Sequence, residues 1–300
     1  MPVGLAYLIV VLVWATTPLA IKWSAETFMP VTAVMLRMML AVAVGLPWLW
    51  LLGQRLRWDR LAIKSYAAAL PGVFGAMSLS YLASVYVASG LISVMFGLAP
   101  LLSGFMLQLL PNPIRLNIWH WAGCVTGVGG LALVFADALQ GGNQLIGIAL
   151  LLGAVTGFSI SGIAVKQVAA GLGPLPQTLG SLIVSLPCFA VLWFALGESF
   201  VVGEQLHGLW ALLYLALFGS LIGFVCYFKV LSSLSAATVA LITLITPVLA
   251  LLLGALLNGE QPGLRVIAGA VVIIAGLGLY FLGDRGTRDR VRVGIDAGQI

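Results

Sequence analysis

The chain is divided into ten apolar segments, each long enough for a helix to cross a membrane. A transmembrane helix needs about 20 apolar residues. Hydrophobic residues make up 62% of the sequence and charged residues only 8%, whereas soluble proteins carry about 25% charged residues. These features predict an all-α integral membrane protein. The ten transmembrane helices are predicted at residues 3–22, 31–52, 65–87, 91–110, 117–136, 145–167, 177–197, 207–230, 235–256 and 264–282.

Charged residues predict the orientation of the chain. Cytoplasmic loops of membrane proteins are enriched in Lys and Arg. If both termini are cytoplasmic, most of the fourteen basic residues, including the cluster at 55–64, lie on the inner side, while Lys22 and Arg265 lie outside with five of the nine acidic residues. We therefore expect N- and C-termini in the cytoplasm. Residues 285–300 are too polar to span and are expected to form a disordered cytoplasmic tail.

The two halves of the sequence repeat each other. Residues 4–22 align with residues 148–166 at an offset of 144. Each half contains five predicted spans, an odd number, so the second half enters the membrane from the opposite side and the repeats are inverted. Inverted repeats allow a central site to open alternately to each side of the membrane, although duplication that only builds a stable bundle is an alternative. The predicted units are 1–142, the first five-helix repeat, and 143–284, the second.

Prolines inside the spans point to a central cavity. A proline within a helix removes one backbone hydrogen bond, and in lipid the freed carbonyl must meet protein or water. Pro100 and Pro247 occupy matching positions of the two halves, and Pro18 interrupts the first span. We predict that Pro18, Pro100 and Pro247 are hinges beside the cavity; a packing kink is the alternative for each.

Aromatic and hydroxyl side chains near these prolines are the candidate substrate ligands. Such a wall suits a small molecule with an apolar or aromatic body and one polar end. The same residue types also mediate helix packing in membranes, and that interpretation remains open for each residue. The candidates are Trp14, Thr17, Ser78, Tyr81, Met95, Phe96, Phe158, Ser159, Phe224, Tyr227 and Thr243.

Ionisable residues are almost absent from the predicted spans. The acidic residues outside the tail map mainly to outer loops, which favours a uniporter, an exchanger or a weakly coupled carrier over coupling through a buried carboxylate. Arg37 is the one strongly ionised residue well inside a span. We interpret Arg37 as a gating or structural charge that pairs with Glu26 or an outer carbonyl, or snorkels outward. Direct contact between Arg37 and the substrate is the alternative.

Sequence patterns of enzymes and metal sites are not found. The two histidines lie at span ends, and there is no HExxH motif, Ser/His/Asp set or Walker-type glycine loop. The three cysteines have no CxxC spacing. The sequence therefore predicts no enzyme, no catalytic residue, no metal, no cofactor and no nucleic-acid partner; the expected partners are the lipid bilayer and a small-molecule substrate.

Glycine pairs mark spans five and ten. Gly123 and Gly127 lie in span five, and Gly276 and Gly278 lie in span ten. Small residues at such spacing let helices approach closely. These glycines predict either a rigid element that supports the cavity or a dimer face, so a monomer and a homodimer both remain possible.

Several motifs together resemble a known family. They are Gly4…Trp14-Ala-Thr-Thr-Pro18, Pro30…Arg37, Leu98-Ala-Pro100 and Ile245-Thr-Pro247. With the inverted repeat, they resemble EamA-type members of the drug/metabolite transporter superfamily, and the whole is similar to YddG-type bacterial amino-acid exporters. The resemblance covers about residues 3–283 and implies a carrier of the bacterial inner membrane that exports aromatic and other neutral amino acids through a central cavity.

Other functions remain as alternatives. A drug, nucleoside or other metabolite exporter of the same superfamily is the runner-up, and a channel or a non-transporting membrane protein is less favoured. An anionic substrate would require several buried cations, whereas Arg37 is the only candidate. Neutral or zwitterionic cargo is therefore preferred. The second half has Ile183 near the position that matches Arg37, so the arginine is not duplicated.

Overall fold

The computed structural model describes residues 1–109, 117–138, 143–200, 203, 207–234 and 236–297. These residues form ten helices and contain no strand. The helices are α1 (Val3–Thr27), α2 (Pro30–Leu51), α3 (Arg60–Ser84), α4 (Ser89–Leu107), α5 (Ile118–Ala138), α6 (Gln144–Val168), α7 (Pro174–Leu196), α8 (His207–Ser233), α9 (Ala236–Asn258) and α10 (Leu264–Ala297).

The helices have the length and composition of membrane spans. Eight of those described are long and apolar enough to cross a membrane, and α5 and α9 contain shorter apolar stretches, Ile118–Val134 and Ile245–Asn258. Large apolar side chains such as Val125, Phe194 and Trp210 are exposed on the outside of the bundle, where lipid tails would cover them. The prediction of an all-α membrane protein built as two inverted five-helix repeats is confirmed.

Helices α3 and α8 each contain one π-helical turn, at Pro71–Ala76 and Leu215–Ile222. The two turns occupy matching places in the repeats, since Phe74-Gly75 and Phe218-Gly219 are separated by the repeat offset. Neither turn was expected from the sequence. π turns are frequent at functional sites, and both turns here face the opposite repeat: Ser161 of α6 donates a hydrogen bond to the carbonyl of Ala69 beside the first turn, at 3.3 Å.

The three predicted hinge prolines differ in their effect on the backbone. Helix α4 is interrupted between Phe96 and Ala99, and Pro100 lies in the first turn of its second segment, where a missing N–H breaks no helical hydrogen bond. Helices α1 and α9 continue through Pro18 and Pro247. Of the three, only Pro100 therefore lies beside a break.

Helices α5 and α10 pack together through their glycines. A Cβ atom placed on Gly123 would lie 2.6 Å from the carbonyl oxygen of Gly276, and one on Gly276 would lie 2.7 Å from the backbone nitrogen of Gly127. Only residues without a side chain fit such an approach. The predicted glycine contacts are thus made within the chain, between the fifth helix of one repeat and the fifth helix of the other.

Glu198 of the second repeat caps a helix of the first repeat. It follows Gly197, which ends α7 in the left-handed conformation (φ 64°). Its carboxylate accepts hydrogen bonds from the backbone N–H groups of Val31 and Thr32, at 3.0 and 2.6 Å. Both donors lie in the first turn of α2, where N–H groups have no partner within the helix.

Glu260 makes a second cap of the same kind. It follows Gly259, which has φ 62°, and accepts hydrogen bonds from the backbone N–H groups of Ser89 and Gly90 at the start of α4, at 3.0 and 3.3 Å. Two carboxylates of the second repeat therefore hold two helices of the first. The end of the bundle with Glu26, Glu198 and Glu260 is called the acidic face, and the end with Arg55, Arg57, Arg60 and Lys64 the basic face.

Gln54 stands at the basic face, at the repeat position that Glu198 occupies at the acidic face. It follows Gly53, which has φ 65°. Its Oε1 atom would lie 3.9 Å from a Cβ atom on Gly173, at the start of α7. The residues of α7 that match Val31 and Thr32 are Leu175 and Pro176, and Pro176 has no N–H to donate. The repeat therefore conserves the turn but not the cap.

The last helix is longer than expected. Its backbone is helical to Ala297, whereas disorder was expected from residue 285 onward. The sequence places opposite charges four residues apart, at Asp284 and Arg288 and at Arg285 and Asp289, and such spacing favours a helix.

Candidate functional site

A central cavity of about 70 Å³ lies between the two repeats. Its wall is formed by α1 to α4 of the first repeat and by α6, α8 and α9 of the second. Two buried apolar clusters meet there, and Phe158 packs against both. The wall residues are Trp14, Thr17, Pro18, Ile21, Arg37, Met77, Ser80, Ile92, Ser93, Phe96, Phe158, Gly219, Phe224 and Thr246.

Aromatic rings form one side of the cavity, with Phe158 at their centre. The ring centroid of Phe158 lies 5.6 Å from that of Trp14, 5.7 Å from that of Phe96 and 5.5 Å from that of Tyr227. Trp14 and Tyr227 are themselves 5.1 Å apart. These separations are typical of interacting aromatic pairs, so the rings support one another and present a preformed apolar surface.

Hydroxyl groups supply part of the polar wall. Thr17 donates its hydroxyl proton to the carbonyl of Val13 at 2.6 Å, and Ser80 donates to the carbonyl of Ala76 at 2.7 Å. Because each proton is directed to the residue's own helix, the lone pairs of the hydroxyl oxygen are left as acceptors. The wall can therefore accept hydrogen bonds from a donor such as an ammonium group.

Arg37 is the one ionised side chain among the wall residues. It is only 1% exposed, and its Nε donates a hydrogen bond to the hydroxyl of Ser220, in the π turn of α8, at 2.6 Å. Its Nη1 is buried and has no hydrogen-bond partner. Within the described part of the chain, the ion pairs are Arg57 with Asp59 and Glu26 with His207, so no carboxylate neutralises Arg37.

This environment differs from the one expected for Arg37. Glu26, the expected partner, contacts His207 Nε2 at 3.1 Å instead. The near-complete burial of Arg37 also shows that the guanidinium does not snorkel to the interface. The hydroxyl of Ser220 accepts the hydrogen bond from Arg37 instead, because the π turn of α8 lies against α2.

The structure brings many of the predicted site residues into one wall. Trp14, Thr17, Phe96, Phe158 and Phe224 line the cavity together with Pro18 and Arg37. Further wall residues were not among the candidates, although Met77 and Ser80 are three residues apart, as are Ser93 and Phe96, the spacing of one helix face. The wall residues missed from the sequence are Ile21, Met77, Ser80, Ile92, Ser93 and Gly219, and Thr246, the remaining wall residue, lies three positions after the predicted ligand Thr243.

Other predicted ligands lie outside the cavity wall. Ser159 donates its hydroxyl to the carbonyl of Ala99 at 3.1 Å and so joins α6 to α4. Tyr81 and Met95 are fully buried in the two apolar clusters. Tyr227 contacts the rings of wall residues without lining the cavity itself. All four therefore support the wall.

The remaining predicted residues are Ser78, Thr243 and the hinge Pro247. Ser78 is 3% exposed, and its hydroxyl is buried without a hydrogen-bond partner, but it does not line the cavity. The side chain of Thr243 lies outside the described residues. Pro247 is buried in α9, and its Cγ would lie 3.6 Å from a Cβ atom on Gly97, at the break in α4.

Comparison with known sequences decides the family. The sequence model of the EamA-like transporter family matches the chain twice, at residues 2–136 and 145–282. The chain belongs to the EamA-like transporter family. The resemblance to EamA-type members of the drug/metabolite transporter superfamily is thereby confirmed, and the two matches correspond to the two inverted repeats of this EamA-like transporter.

Relatives of this EamA-like transporter are named as transporters. It is 25% identical over 272 residues to an uncharacterized transporter of Archaeoglobus fulgidus, covering 90% of this chain and 94% of the relative. It is 26% identical over 279 residues to the uncharacterized inner membrane transporter YedA of Escherichia coli, covering 90% and 89%. A protein of known crystal structure that is 19% identical superposes with a TM-score of 0.67 over 94% of this chain and 98% of that one, which shows a shared fold.

Proposed function

We propose that this EamA-like transporter is a secondary carrier that exports aromatic and other neutral amino acids across the bacterial inner membrane. The observation that carries the proposal is the composition of the cavity wall: aromatic rings around Phe158 with a single cation, Arg37. Rings offer broad apolar contact to an aromatic or aliphatic side chain. A single cation does not neutralise a multiply charged anion, so the wall favours cargo with no more than one anionic group.

The cavity size supports a conformation closed around the site. One water needs about 10–15 Å³ of cavity volume, so the 70 Å³ of this cavity hold roughly five waters. An aromatic amino acid is larger and enters only when wall helices separate. The wall residues come from both repeats, so movement of one repeat against the other would enlarge the cavity.

Alternating access is the proposed mechanism, and the acidic face provides its closed end. There, Trp23 of α1 donates a hydrogen bond to Asn258 of α9 at 2.8 Å, and Glu198 and Glu260 cap helices of the first repeat. Opening toward this face requires these contacts to break. From the positive-inside rule, we place the acidic face in the periplasm and the basic face, with both termini, in the cytoplasm.

Helices α5 and α10 would then act as the fixed support. Neither contributes a residue to the cavity wall, and their backbone contact at Gly123 and Gly276 leaves no space for sliding without a clash. The first four helices of the first repeat, and the first, third and fourth of the second, carry the wall. Motion during transport would be concentrated in those seven helices.

Transport by purified protein in proteoliposomes tests this function. We expect labelled phenylalanine, threonine or methionine to be taken up saturably and above the level of empty vesicles. Unlabelled amino acid inside the vesicles, or a pH gradient across their membrane, should stimulate this uptake. Phe158→Ala should raise the KM for phenylalanine by about tenfold, because an aromatic contact of about 1.4 kcal/mol is removed. Phe105→Ala is the matched control, since Phe105 is 46% exposed on α4 and does not line the cavity.

The outcome separates this proposal from its competitors. Uptake of a nucleoside or a lipophilic drug, with none of the three amino acids transported, would assign the protein to another substrate class of the superfamily. Uptake that rises linearly with concentration and shows no exchange would indicate a channel. If Phe158→Ala and Phe105→Ala changed the KM for phenylalanine equally, the aromatic wall would not be the substrate site.

A further inference from the structure

We infer that the guanidinium of Arg37 binds a carboxylate of the transported molecule. The inference deepens the proposed function and rests on it in one respect, that the cargo is an amino acid. It assigns the α-carboxylate of that cargo to one side chain.

The first observation is an uncompensated charge. The guanidinium of Arg37 carries a permanent positive charge and five N–H donors, and it is 1% exposed. A buried charge is stable only when it is paired and hydrogen-bonded. The hydrogen bond of Arg37 in the structure goes from Nε to a neutral hydroxyl, and Nη1 has no partner. A negatively charged ligand would supply the missing pair.

The second observation is that one side of the guanidinium is already fixed. Ser220 accepts the hydrogen bond from Arg37 Nε and directs its own proton to the sulfur of Met38, at 3.5 Å. Gly219 allows α8 to lie against the guanidinium, because a Cβ atom there would be 2.9 Å from Nη2. The π turn of α8 therefore holds the side chain in place, and Nη1 is left without a partner in the protein.

The third observation is the position of Arg37 in the same wall as the aromatic rings. Arg37, Phe96 and Phe158 all line one cavity. A ligand with its anionic end at Arg37 would therefore place its apolar body against the rings. The hydroxyl oxygens of Thr17 and Ser80 are acceptors in that wall and suit an ammonium group.

A carboxylate fits this site better than a phosphate. The planar guanidinium matches the two oxygens of a carboxylate, and one monoanion balances one cation. A phosphate dianion would leave a second negative charge without a partner in an otherwise uncharged wall, which costs free energy. An inorganic monoanion such as chloride shares the charge but not the shape, and the experiment separates it from a carboxylate.

Ligand binding to the purified full-length protein in detergent tests the inference. The probes are L-phenylalanine, L-phenylalaninamide, which lacks the carboxylate, and 3-phenylpropionate, which lacks the ammonium group. Binding is measured by titration calorimetry, with and without added chloride. We expect wild-type protein to bind L-phenylalanine about tenfold to a hundredfold more tightly than the amide, the range expected for a hydrogen bond to a charged group.

Variants of Arg37 locate the effect. Arg37→Met keeps a long side chain without charge, and the preference for L-phenylalanine over the amide should fall to about one. Arg37→Lys should restore part of the preference, because a lysine keeps the charge without the planar fork. Arg57→Met is the control: Arg57 is exposed at the basic face and pairs with Asp59 at 2.8 Å, so the preference should not change.

The results that would overturn the inference differ from those that would overturn the proposed function. If wild-type protein bound L-phenylalanine and its amide equally tightly, or if Arg37→Met kept the full preference, Arg37 would not bind the carboxylate. Neither result would contradict amino-acid transport. Arg37-dependent binding of 3-phenylpropionate without uptake of any amino acid keeps the carboxylate site and removes amino acids as cargo. Binding of chloride alone at Arg37, with no carboxylate preference, overturns the inference. If Arg37→Met does not fold, the comparison of ligands on wild-type protein decides.

Discussion

Glu198 accepts two hydrogen bonds from Thr32 at the same carboxylate oxygen, one from the backbone N–H at 2.6 Å and one from the hydroxyl at 2.9 Å. The indole N–H of Trp193 donates to the same hydroxyl oxygen at 2.9 Å. Residues of the second repeat therefore surround the first turn of α2, in the first repeat. The carboxylate also lies at the positive end of the α2 dipole, which adds to its stabilising effect.

Glu198→Ala should lower the free energy of unfolding by about 1–3 kcal/mol, because the first turn of α2 loses its cap and buried N–H groups lose their acceptor. The melting temperature of the purified protein in detergent is the measurement. Glu26→Ala is the matched control on the same face, where an exposed pair with His207 should contribute about 0–1 kcal/mol. Equal shifts in the two variants would contradict a bridging role for Glu198.

Gly276→Ala should destabilise the protein by about 1–3 kcal/mol. Its new Cβ atom would lie 2.7 Å from the backbone nitrogen of Gly127 and 2.8 Å from the carbonyl oxygen of Gly123, so α5 and α10 must move apart. Gly278→Ala, two residues later on α10, has nothing within 4 Å of the new atom and should leave stability unchanged or slightly raised. Thermal unfolding of both variants checks this, and a similar loss in both would show that the helices do not pack as described.

Gly219→Ala should impair transport while the fold is retained. The added Cβ atom meets the movable end of Arg37, 2.9 Å from Nη2, and displaces the guanidinium. We expect the KM for phenylalanine to rise by about tenfold, the scale of one charged hydrogen bond. Gly75→Ala is the control at the matching position of the first repeat, where a Cβ atom has open space. An unchanged KM in Gly219→Ala would show that the orientation of Arg37 does not affect binding.

Asp59 should make stability depend on acidic pH. The hydrogen bond from Arg57, at 2.8 Å, and those from the backbone of Ala62 and Leu61 hold the pKa of Asp59 below its ordinary value of 3.8. Its stabilising effect is therefore complete above that value and is lost as pH falls through the lower pKa of the folded state. The difference in melting temperature between wild type and Asp59→Asn should shrink from about pH 7 to about pH 3. A difference that is constant with pH would argue against this ion pair.

The ten spans and the inverted repeat were predictable because the bilayer restricts the sequence strongly. Each crossing must be apolar for about 20 residues, and an odd number of crossings per repeat inverts the second one. The π turns were not predicted, since each turn lies within an apolar stretch of its helix and hydropathy does not mark it. The available indication was the Phe-Gly pair shared by Phe74-Gly75 and Phe218-Gly219.

The cavity wall was only partly predictable from the sequence. Phe96 and Phe158 lie in it, whereas Ser159, the neighbour of Phe158, faces α4. The rotation of an apolar helix about its axis is set by its packing partners, because a helix that is hydrophobic all round has no distinct periodicity. The environment of Arg37 depends on Ser220, a residue 183 positions away along the chain, and no local pattern joins the two.

The unlike residues at Glu198 and Gln54 make the two ends of a duplicated fold unequal. At the acidic face a carboxylate accepts hydrogen bonds from two backbone N–H groups, whereas at the basic face Gln54 stands near Leu175 and Pro176, of which only Leu175 has an N–H. If the two ends were equal, a carrier whose halves exchange their conformations would be open to each compartment for an equal share of the time. Under the proposed alternating access, this difference would favour, with the cavity empty, the state closed at the acidic face.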